Sequence, residues 1–403
     1  MKKAVKARTR VGGKIGAGIL ISAMAFGVFT GCASVPKIAS GVKTSTQLAK
    51  TEAAQKAYDF VQKVKDNDYQ GIQNDDDRLK YLKIDAVASL VDNTIKSDVI
   101  YDDAYELASI EEDPMGLDIG GTIGVSHVER FTYTKKDKDN PDKKEFDLYL
   151  DDENRAVYNS NNTNIREQVQ VSMPYGTECS IEGIKLDDSL NMKSDITNGI
   201  MIYTIPYLAT EFRATCSTTD WGTLETTAKL ITDKKDEKYG KPLEVRFALK
   251  ESDTLKILEA TKTIYNEIAA KVGTEISDSD FSKYVASNKP ELATMINTGL
   301  KTMSDGNNVK SVIMSSIAQS DKIDTPVYVF NDSGEVYVEA KIQNSWIYQD
   351  RLNQSEKVYC RYRIAKDSTN SNSTGYVFTW FAGTESGYPA LIGKVNSGWQ
   401  DWK

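Results

Sequence analysis

The stretch TPVYVFNDSGEVYVEAKI, residues 325–342, decides the fold class of this chain. Apolar and polar residues alternate in both of its arms, and a period of two is typical of a half-buried β-strand. Between the arms lies Asn331-Asp332-Ser333-Gly334, a run of residues that favour tight turns. The stretch therefore predicts a β-hairpin, in which consecutive strands pair antiparallel.

Similar alternation recurs upstream, in VQVSM (169–173), LEVRFAL (243–249) and EFDLYL (145–150). Apolar residues recur instead at spacings of three and four between residues 51 and 110 and between 252 and 320, which indicates amphipathic helices. The last of these predicted helices is defined by Val309, Val312, Ile313 and Ile317. Blocks of helices and strands, without βαβ alternation, indicate an α+β fold.

The predicted α+β chain has four folded regions after an N-terminal leader. N-terminal helices are expected over 51–122 and a region of antiparallel strands over 123–250. Central helices follow over 251–322, and a second region of antiparallel strands occupies 323–403. After residue 31 the sequence contains no apolar run long enough to span a membrane as a helix.

The first 31 residues differ in composition from the rest. Residues 1–14 carry six basic residues and no acid, and residues 15–30 are uncharged and largely apolar. The small residues Gly31, Cys32, Ala33 and Ser34 come next. A basic start, a short apolar middle and a small-residue exit are typical of a secretory signal peptide. The apolar run is also shorter than the roughly 20 residues of a membrane-spanning helix.

The order Phe29-Thr30-Gly31-Cys32 resembles the lipobox of bacterial lipoproteins, with Phe29 where that class usually has leucine. The resemblance implies that residues 1–31 are removed as a lipoprotein signal peptide and that the thiol of Cys32 is acylated. Residues 32–50, small and polar, are then the lipidated cysteine and a flexible tether. We expect an exported protein, anchored by lipid to a bacterial membrane and either periplasmic or surface-exposed. Ordinary cleaved secretion and an uncleaved anchor are the alternatives.

The charge of the chain argues against one class of partner. The 403 residues contain 50 basic and 58 acidic side chains, a net charge of −8. Removal of residues 1–31 takes away six bases and no acid, so the net charge falls to −14. Nucleic-acid binding needs a basic surface, so we predict no nucleic-acid partner. The expected partners are the membrane, through the covalent lipid, and an envelope or extracellular protein.

Three cysteines remain after Cys32, and an exported compartment permits disulfides. Cys179 and Cys216 both lie in polar surroundings and are the predicted disulfide pair. Cys360 lies in the alternating stretch KVYCRYRIA and is interpreted as a buried thiol. The alternative is that all three cysteines are free.

The sequence provides no specific catalytic or metal-binding motif. His127 is the single histidine, no G-x-S-x-G motif accompanies it, and a standard zinc site needs more Cys or His ligands. We therefore predict no catalytic residue, no metal and no cofactor, and a protein that is not an enzyme. A carboxylate hydrolase stays open as a hypothesis, since it needs only two suitably placed acids.

The C-terminus is rich in aromatic residues, which are common on recognition surfaces. Trp380, Trp399 and Trp402 form a candidate ligand face, with packing inside a sheet as the competing interpretation. The leading hypothesis is an envelope lipoprotein with a structural or partner-binding role. A module that binds glycans or apolar ligands through the C-terminal aromatics is the second, and a carboxylate-based envelope hydrolase is the third.

Overall fold

The computed structural model describes residues 48–113, 124–196, 198–306, 308–319, 327–350, 352–367, 369 and 372–381. Helices and antiparallel sheets alternate in blocks along these residues, so the predicted α+β class is confirmed. The predicted signal peptide, the lipidation site Cys32 and the tryptophans Trp399 and Trp402 lie outside the described residues. None of the described helices is both long and apolar enough to cross a membrane.

The N-terminal part packs three helices on a three-stranded sheet. The helices are α1 (Glu52–Lys65), α2 (Tyr69–Asp75) and α3 (Ile84–Thr94). The strands, in the order β1-β2-β3, are β1 (Tyr105–Glu112), β2 (His127–Lys135) and β3 (Lys143–Leu150). Helix α1 begins after Thr51, whose hydroxyl accepts a hydrogen bond from the backbone N–H of Ala54. Its buried face follows the predicted spacing and consists of Ala53, Ala54, Ala57, Val61 and Val64.

Two predictions for this part were wrong in detail. The region 51–122 was expected to be helical, but residues 105–112 form strand β1. The strand contains a bulge at Ala108, which interrupts the alternation by which a strand is recognised in sequence. The tether was expected to reach residue 50, but Leu48 and Ala49 are buried, and Ala49 belongs to the N-terminal core.

The middle of the chain consists of two four-stranded sheets. One has the order β10-β9-β5-β6 and the other β11-β4-β8-β7. Neighbouring strands pair antiparallel except β11, which runs parallel to β4. The strands are β4 (Ile165–Pro174), β5 (Glu178–Ile181), β6 (Ile184–Lys185), β7 (Lys193–Asp195), β8 (Ile200–Ala209), β9 (Glu211–Thr218), β10 (Gly222–Lys229) and β11 (Leu243–Glu244).

The C-terminal part packs helices α4 (Glu251–Ala269) and α5 (Pro290–Lys301) with a five-stranded sheet. Four of its strands have the order β12-β14-β15-β16. The short strand β13 pairs with the N-terminal end of β14, on the side that β12 occupies further along that strand. The strands are β12 (Val309–Gln319), β13 (Val327–Val329), β14 (Val336–Tyr348), β15 (Gln354–Lys366) and β16 (Tyr376–Phe381). This sheet and the middle sheets share one large hydrophobic core.

The hairpin predicted from residues 325–342 is confirmed by the pairing of β13 with β14. The turn is closed by a bond from the N–H of Phe330 to the carbonyl of Glu335, and the side chain of Asn331 accepts from the N–H of Glu335. Gly334 has φ +83°, and a Cβ at this position would collide with the side chain of Asp220. The turn therefore requires glycine both for its backbone angle and for the space beside Asp220.

The predicted helix containing Val309, Val312, Ile313 and Ile317 is wrong, because these residues belong to strand β12. Bulges at Lys310 and Ser315 shift the phase of the strand, so the buried residues are 309, 312 and 314 rather than a strict alternation. The spacing of three between residues 309 and 312 resembles the period of a helix. The side chain of Asn266 in α4 bonds both the N–H of Met314, at 2.7 Å, and its carbonyl, at 3.2 Å. Helix α4 thus covers backbone groups at the edge of the sheet.

A salt-bridge network centred on Arg78 ties the helices to the loop after β3. Its guanidinium donates to both carboxylate oxygens of Asp76, at 2.8 and 2.6 Å, and to Asp151, at 2.9 Å. It also donates to the carbonyl of Ala156 and lies against the rings of Tyr158 and Tyr207. Burial raises the pKa of Asp151, but bonds from Arg155 and the charge of Arg78 outweigh burial and hold the pKa below its usual value.

We predict that Arg78→Met lowers the free energy of unfolding by about 3–5 kcal/mol, because the buried carboxylate of Asp76 loses its counter-charge and Asp151 is left with Arg155 alone. Urea unfolding at neutral pH measures the loss. Arg213→Met is the matched control, because the Arg213 side chain is 51% exposed and pairs with Glu225 at 3.7 Å, so it should cost less than about 1 kcal/mol.

The effect of Arg78→Met should also depend on pH. The lowered pKa of Asp151 means that its contribution is present above the ordinary aspartate pKa of about 3.9 and is lost as the pH falls further. The difference in unfolding free energy between the parent and Arg78→Met should therefore become smaller in acid. A difference in unfolding free energy that stayed constant from pH 7 to pH 3 would contradict the stabilising role of ionised Asp151 in this network.

Candidate functional site

The face of the C-terminal sheet that points away from the large core carries a row of aromatic and arginine side chains. Of these, Tyr328 and Phe330 are buried, and Tyr337, Arg363 and Trp380 are half-buried. In register across β13, β14, β15 and β16, Tyr328 lies opposite Tyr337, Tyr337 opposite Arg363, and Arg363 opposite Trp380. Directly opposed residues of antiparallel strands have their Cβ atoms about 5 Å apart, close enough for their side chains to interact. We call this row, together with Phe330, the arginine–aromatic row.

Arg363 lies at the centre of the arginine–aromatic row. Its guanidinium carbon is 4.2 Å from the ring centroid of Phe330, 5.2 Å from that of Trp380 and 5.9 Å from that of Tyr337. The charged partner is Glu335, whose carboxylate is 3.9 Å from Nη1, and Nε makes no hydrogen bond among the described residues. Burial lowers the pKa of Arg363, and the nearby tyrosine and carboxylate offset only part of that effect. The guanidinium is thus held by the surrounding rings, and its Nε is a buried donor without a partner among the described residues.

The neighbouring charged residues are paired more tightly. Glu339 is buried and lies opposite Arg361 in the β14–β15 register. Its carboxylate forms ion pairs with Arg361 and with Arg246, the latter at 3.0 Å, and accepts a hydrogen bond from the hydroxyl of Tyr328 at 3.1 Å. The guanidinium of Arg246 also lies 4.4 Å from the centroid of the Tyr328 ring. This network fixes the sheet face beside Arg363.

Of the three tryptophans in the predicted ligand face, Trp380 is the one the structure describes. It is half-buried on β16, with the edge of Tyr337 at 6.2 Å between ring centroids and Arg363 over its ring. One face of the indole is therefore occupied by a guanidinium. Trp399 and Trp402 lie outside the described residues, so the grouping of the three is not addressed by the geometry.

The predicted cysteine pair lies elsewhere, in the β10-β9-β5-β6 sheet. Cys179 of β5 and Cys216 of β9 are directly opposite each other, and both are buried free thiols. Burial raises the pKa of Cys179 to about 11, although the hydroxyl of Thr177 at 3.0 Å from its sulfur acts in the opposite direction. Burial, and then the neighbouring Cys179, also raise the pKa of Cys216.

A pair of carboxylates bears on the hydrolase hypothesis. Glu112 and Glu129 lie opposite each other on β1 and β2, and the Nδ1 atom of His127 is 3.9 Å from Glu112. Glu129 is only 2% exposed, while Glu112 is largely exposed. Burial, together with the charge of Glu112, raises the pKa of Glu129. Glu129 shares the inward face of β2 with Phe131, so its carboxyl lies at the edge of the N-terminal core.

The sequence analysis did not single out Arg363, although the signal for it was present. In KVYCRYRIA, Arg361 and Arg363 alternate with the apolar side of the strand, and in EVYVEAK, Tyr337 and Glu339 do the same. Both sets face outward, as their alternation requires. What the sequence did not contain is the register that sets Tyr337, Arg363 and Trp380 side by side.

Among the residues the structure describes, no three Cys, His, Asp or Glu side chains are grouped as metal ligands. Comparison with known proteins found no matching family model, no matching curated protein and no matching solved structure. The assignment of function therefore depends on the residues and geometry of the chain itself.

We predict that Glu129→Gln raises the melting temperature at neutral pH and leaves it nearly unchanged near pH 4. A raised carboxyl pKa means that the protein is most stable below the ordinary glutamate pKa of about 4.3 and loses stability as the pH rises through the raised value. Glutamine has no charge to bury and removes this loss.

Melting curves from pH 4 to pH 8 measure the effect of Glu129→Gln. Glu225→Gln is the matched control on an exposed strand position, with a side chain 58% exposed, and its difference from the parent should be small at every pH. Equal pH dependence of the parent and the Glu129 variant would contradict the prediction.

Proposed function

We propose that this protein is a lipid-anchored bacterial envelope protein that acts by binding a protein partner. The lipobox-like order ending at Cys32 supports the anchor, because acylation and removal of residues 1–31 follow from that resemblance. The arginine–aromatic row supports the binding role, because Tyr, Trp and Arg are the residue types that dominate the energetic centres of protein interfaces.

The partner should present a carboxylate to Arg363. A guanidinium offers a planar fork of N–H donors that matches a carboxylate in two parallel hydrogen bonds. Glu335, at 3.9 Å, is too far from Nη1 for a direct hydrogen bond. Nε of Arg363 is buried and has no partner within the described part of the chain, so a carboxylate would be received by the two Nη atoms of this side chain, which is 17% exposed. The rings of Phe330 and Trp380 hold the guanidinium in place, so an incoming carboxylate would find the donor ordered in advance.

The two alternative functions receive less support. Sugar stacking needs open aromatic faces, and one face of Trp380 is occupied by Arg363. Hydrolysis by two carboxylates needs both acids at a substrate, and Glu129 is buried on the inward face of its strand. A partner-binding protein is therefore the proposal that makes most use of the half-buried arginine and aromatic side chains of the C-terminal sheet.

The anchor is tested by fatty-acid labelling of the full chain in a bacterial host, beside a Cys32→Ala variant. We expect labelled protein whose mature N-terminus is Cys32, and loss of both label and membrane association in the variant. One acyl chain binds a membrane only reversibly, so stable association also predicts more than one chain on the mature N-terminus. An unlabelled parent, or a mature N-terminus at another residue, would contradict the anchor.

The binding surface is tested by a photo-crosslinking amino acid placed at Ser333, an exposed position in the turn between β13 and β14. We expect a covalent adduct with an envelope protein in living cells, and none from the same group placed at exposed Asp137 in the β2–β3 loop. Arg363→Ala should reduce the adduct about tenfold or more, since truncation of one partner of a charged pair costs at least 2 kcal/mol.

Two further variants separate binding from folding. Arg363→Lys keeps the charge but not the planar fork, so it should also weaken the adduct while the melting temperature stays close to that of the parent. Arg213→Ala, an exposed arginine on β9, should leave the adduct unchanged. An adduct at Ser333 that survives Arg363→Ala would mean that the arginine–aromatic row is packing rather than a contact surface.

A further inference from the structure

The sheet β10-β9-β5-β6 brings two cysteines together from distant parts of the chain. Cys179 on β5 pairs with Cys216 on β9, and segment 180–215, which contains β6, β7 and β8, lies between them in sequence. Both thiols are buried in the large core, so each has lost contact with solvent. Register alone therefore makes this pair the best-placed one for a covalent link among the described cysteines.

The backbone hydrogen bonds show which kind of cross-strand pair the two cysteines form. Three residues along from Cys179, the N–H of Glu182 donates to the carbonyl of Arg213 on β9 at 2.9 Å. Hydrogen-bonded and non-hydrogen-bonded pairs alternate along an antiparallel ladder. The Glu182–Arg213 pair is hydrogen-bonded, and the Cys179–Cys216 pair lies three pairs away along the ladder. Cys179 and Cys216 therefore form a non-hydrogen-bonded pair.

A second bond supports the same assignment from the opposite side of β5. The carbonyl of Cys179 accepts from the N–H of Leu186, just after β6, at 2.9 Å. In a strand the N–H and C=O of one residue point to the same side, so those of Cys179 point toward β6 and away from β9. The side facing Cys216 is therefore free of ladder hydrogen bonds.

That geometry suits a disulfide. The Cα atoms of a non-hydrogen-bonded pair are about 4.5 Å apart, with their side chains closer than in the other kind of pair. Disulfides span Cα separations of roughly 4.4–6.8 Å, so the strands need little or no adjustment to accept the bond. Both side chains also lie on the same face of the sheet, because directly opposed residues project together.

We propose that the mature protein carries a Cys179–Cys216 disulfide, formed while the exported chain folds. The thiolate of one cysteine attacks the disulfide bond of an external oxidant; the attacked sulfur forms a mixed disulfide with the protein, and the other sulfur of the oxidant is released as a thiolate. The second cysteine then displaces the oxidant from the mixed disulfide. The protein loses two electrons and two protons, and the oxidant is reduced to its dithiol.

The bond has to form before the core closes. In the folded chain both sulfurs are buried and held mainly as neutral thiols, and a neutral thiol is a poor nucleophile. For the same reason, a bond already made would be shielded from reductants. It would hold β5, a strand of four residues, against β9 and thereby tether the β5–β6 edge of the sheet.

The first experiment uses the full chain as isolated from cells. The protein is denatured in the presence of an alkylating agent without reductant, digested and analysed by mass spectrometry. We expect a linked peptide pair containing Cys179 and Cys216, two hydrogens lighter than the sum of the free peptides, with Cys360 alkylated. A link from Cys360 to either of the others, or alkylation of both Cys179 and Cys216, would overturn the proposal.

The second experiment separates pairing from cellular location. The same protein is reduced, unfolded and refolded in a mixture of oxidised and reduced glutathione. If the link forms here but not in cells, the geometry is right and export to an oxidising compartment has failed. If it forms in neither, the pairing itself is wrong.

The stabilising effect is measured on the isolated parent protein, by melting curves with and without prior reduction of the unfolded chain. We expect reduction to lower the melting temperature by roughly 5–10 °C. Cys179→Ala/Cys216→Ala, which removes both thiols, should melt near the reduced parent and be insensitive to reductant. A parent protein whose melting temperature is the same with and without reduction would overturn the proposal.

Discussion

Burial of one face of the long strands β14 and β15 is the constraint on which the C-terminal half depends. Their inward residues, Val336, Val338 and Ala340 on β14 with Tyr362 and Ile364 on β15, are almost fully buried in the large core. Because side chains alternate across a strand, fixing the inward set also fixes the outward set. The position of Arg363 among aromatic rings is thus a consequence of core packing on the other side of the same sheet.

The same constraint explains why polar networks occur where they do. Glu339 is buried and Arg361 is half-buried on the face of the sheet away from the large core, so both need partners within the protein. The Arg78 network solves the same problem in the N-terminal part, where its guanidinium joins a helical turn to the loop after β3. Arg363 differs from both, because its carboxylate partner is at a longer distance and its aromatic contacts are closer. That difference makes Arg363 the centre of the proposed binding surface.

Prediction from sequence succeeded where pattern and local chemistry agreed. The hairpin around Asn331 and Gly334 combined clean alternation with turn residues, and helix α1 has a regular apolar stripe, to which the structure adds a cap at Thr51. It failed at β1 and β12, where bulges at Ala108, Lys310 and Ser315 shift the phase of the strand. A bulge is set by pairing with another strand, so a pattern confined to one segment does not reveal it.

The sequence by itself determined the α+β class, the order of its blocks, the acidic net charge and the lipobox-like order that ends at Cys32, because composition and local periodicity carry that information. Only the tertiary structure decided which residues meet. Tyr337, Arg363 and Trp380 share one row through strand register between segments far apart in the chain. Register also sets Cys179 directly opposite Cys216, a pair that the sequence could only suggest. Register depends on the burial of whole faces against the rest of the core, and that is a property of the packed molecule rather than of any one segment.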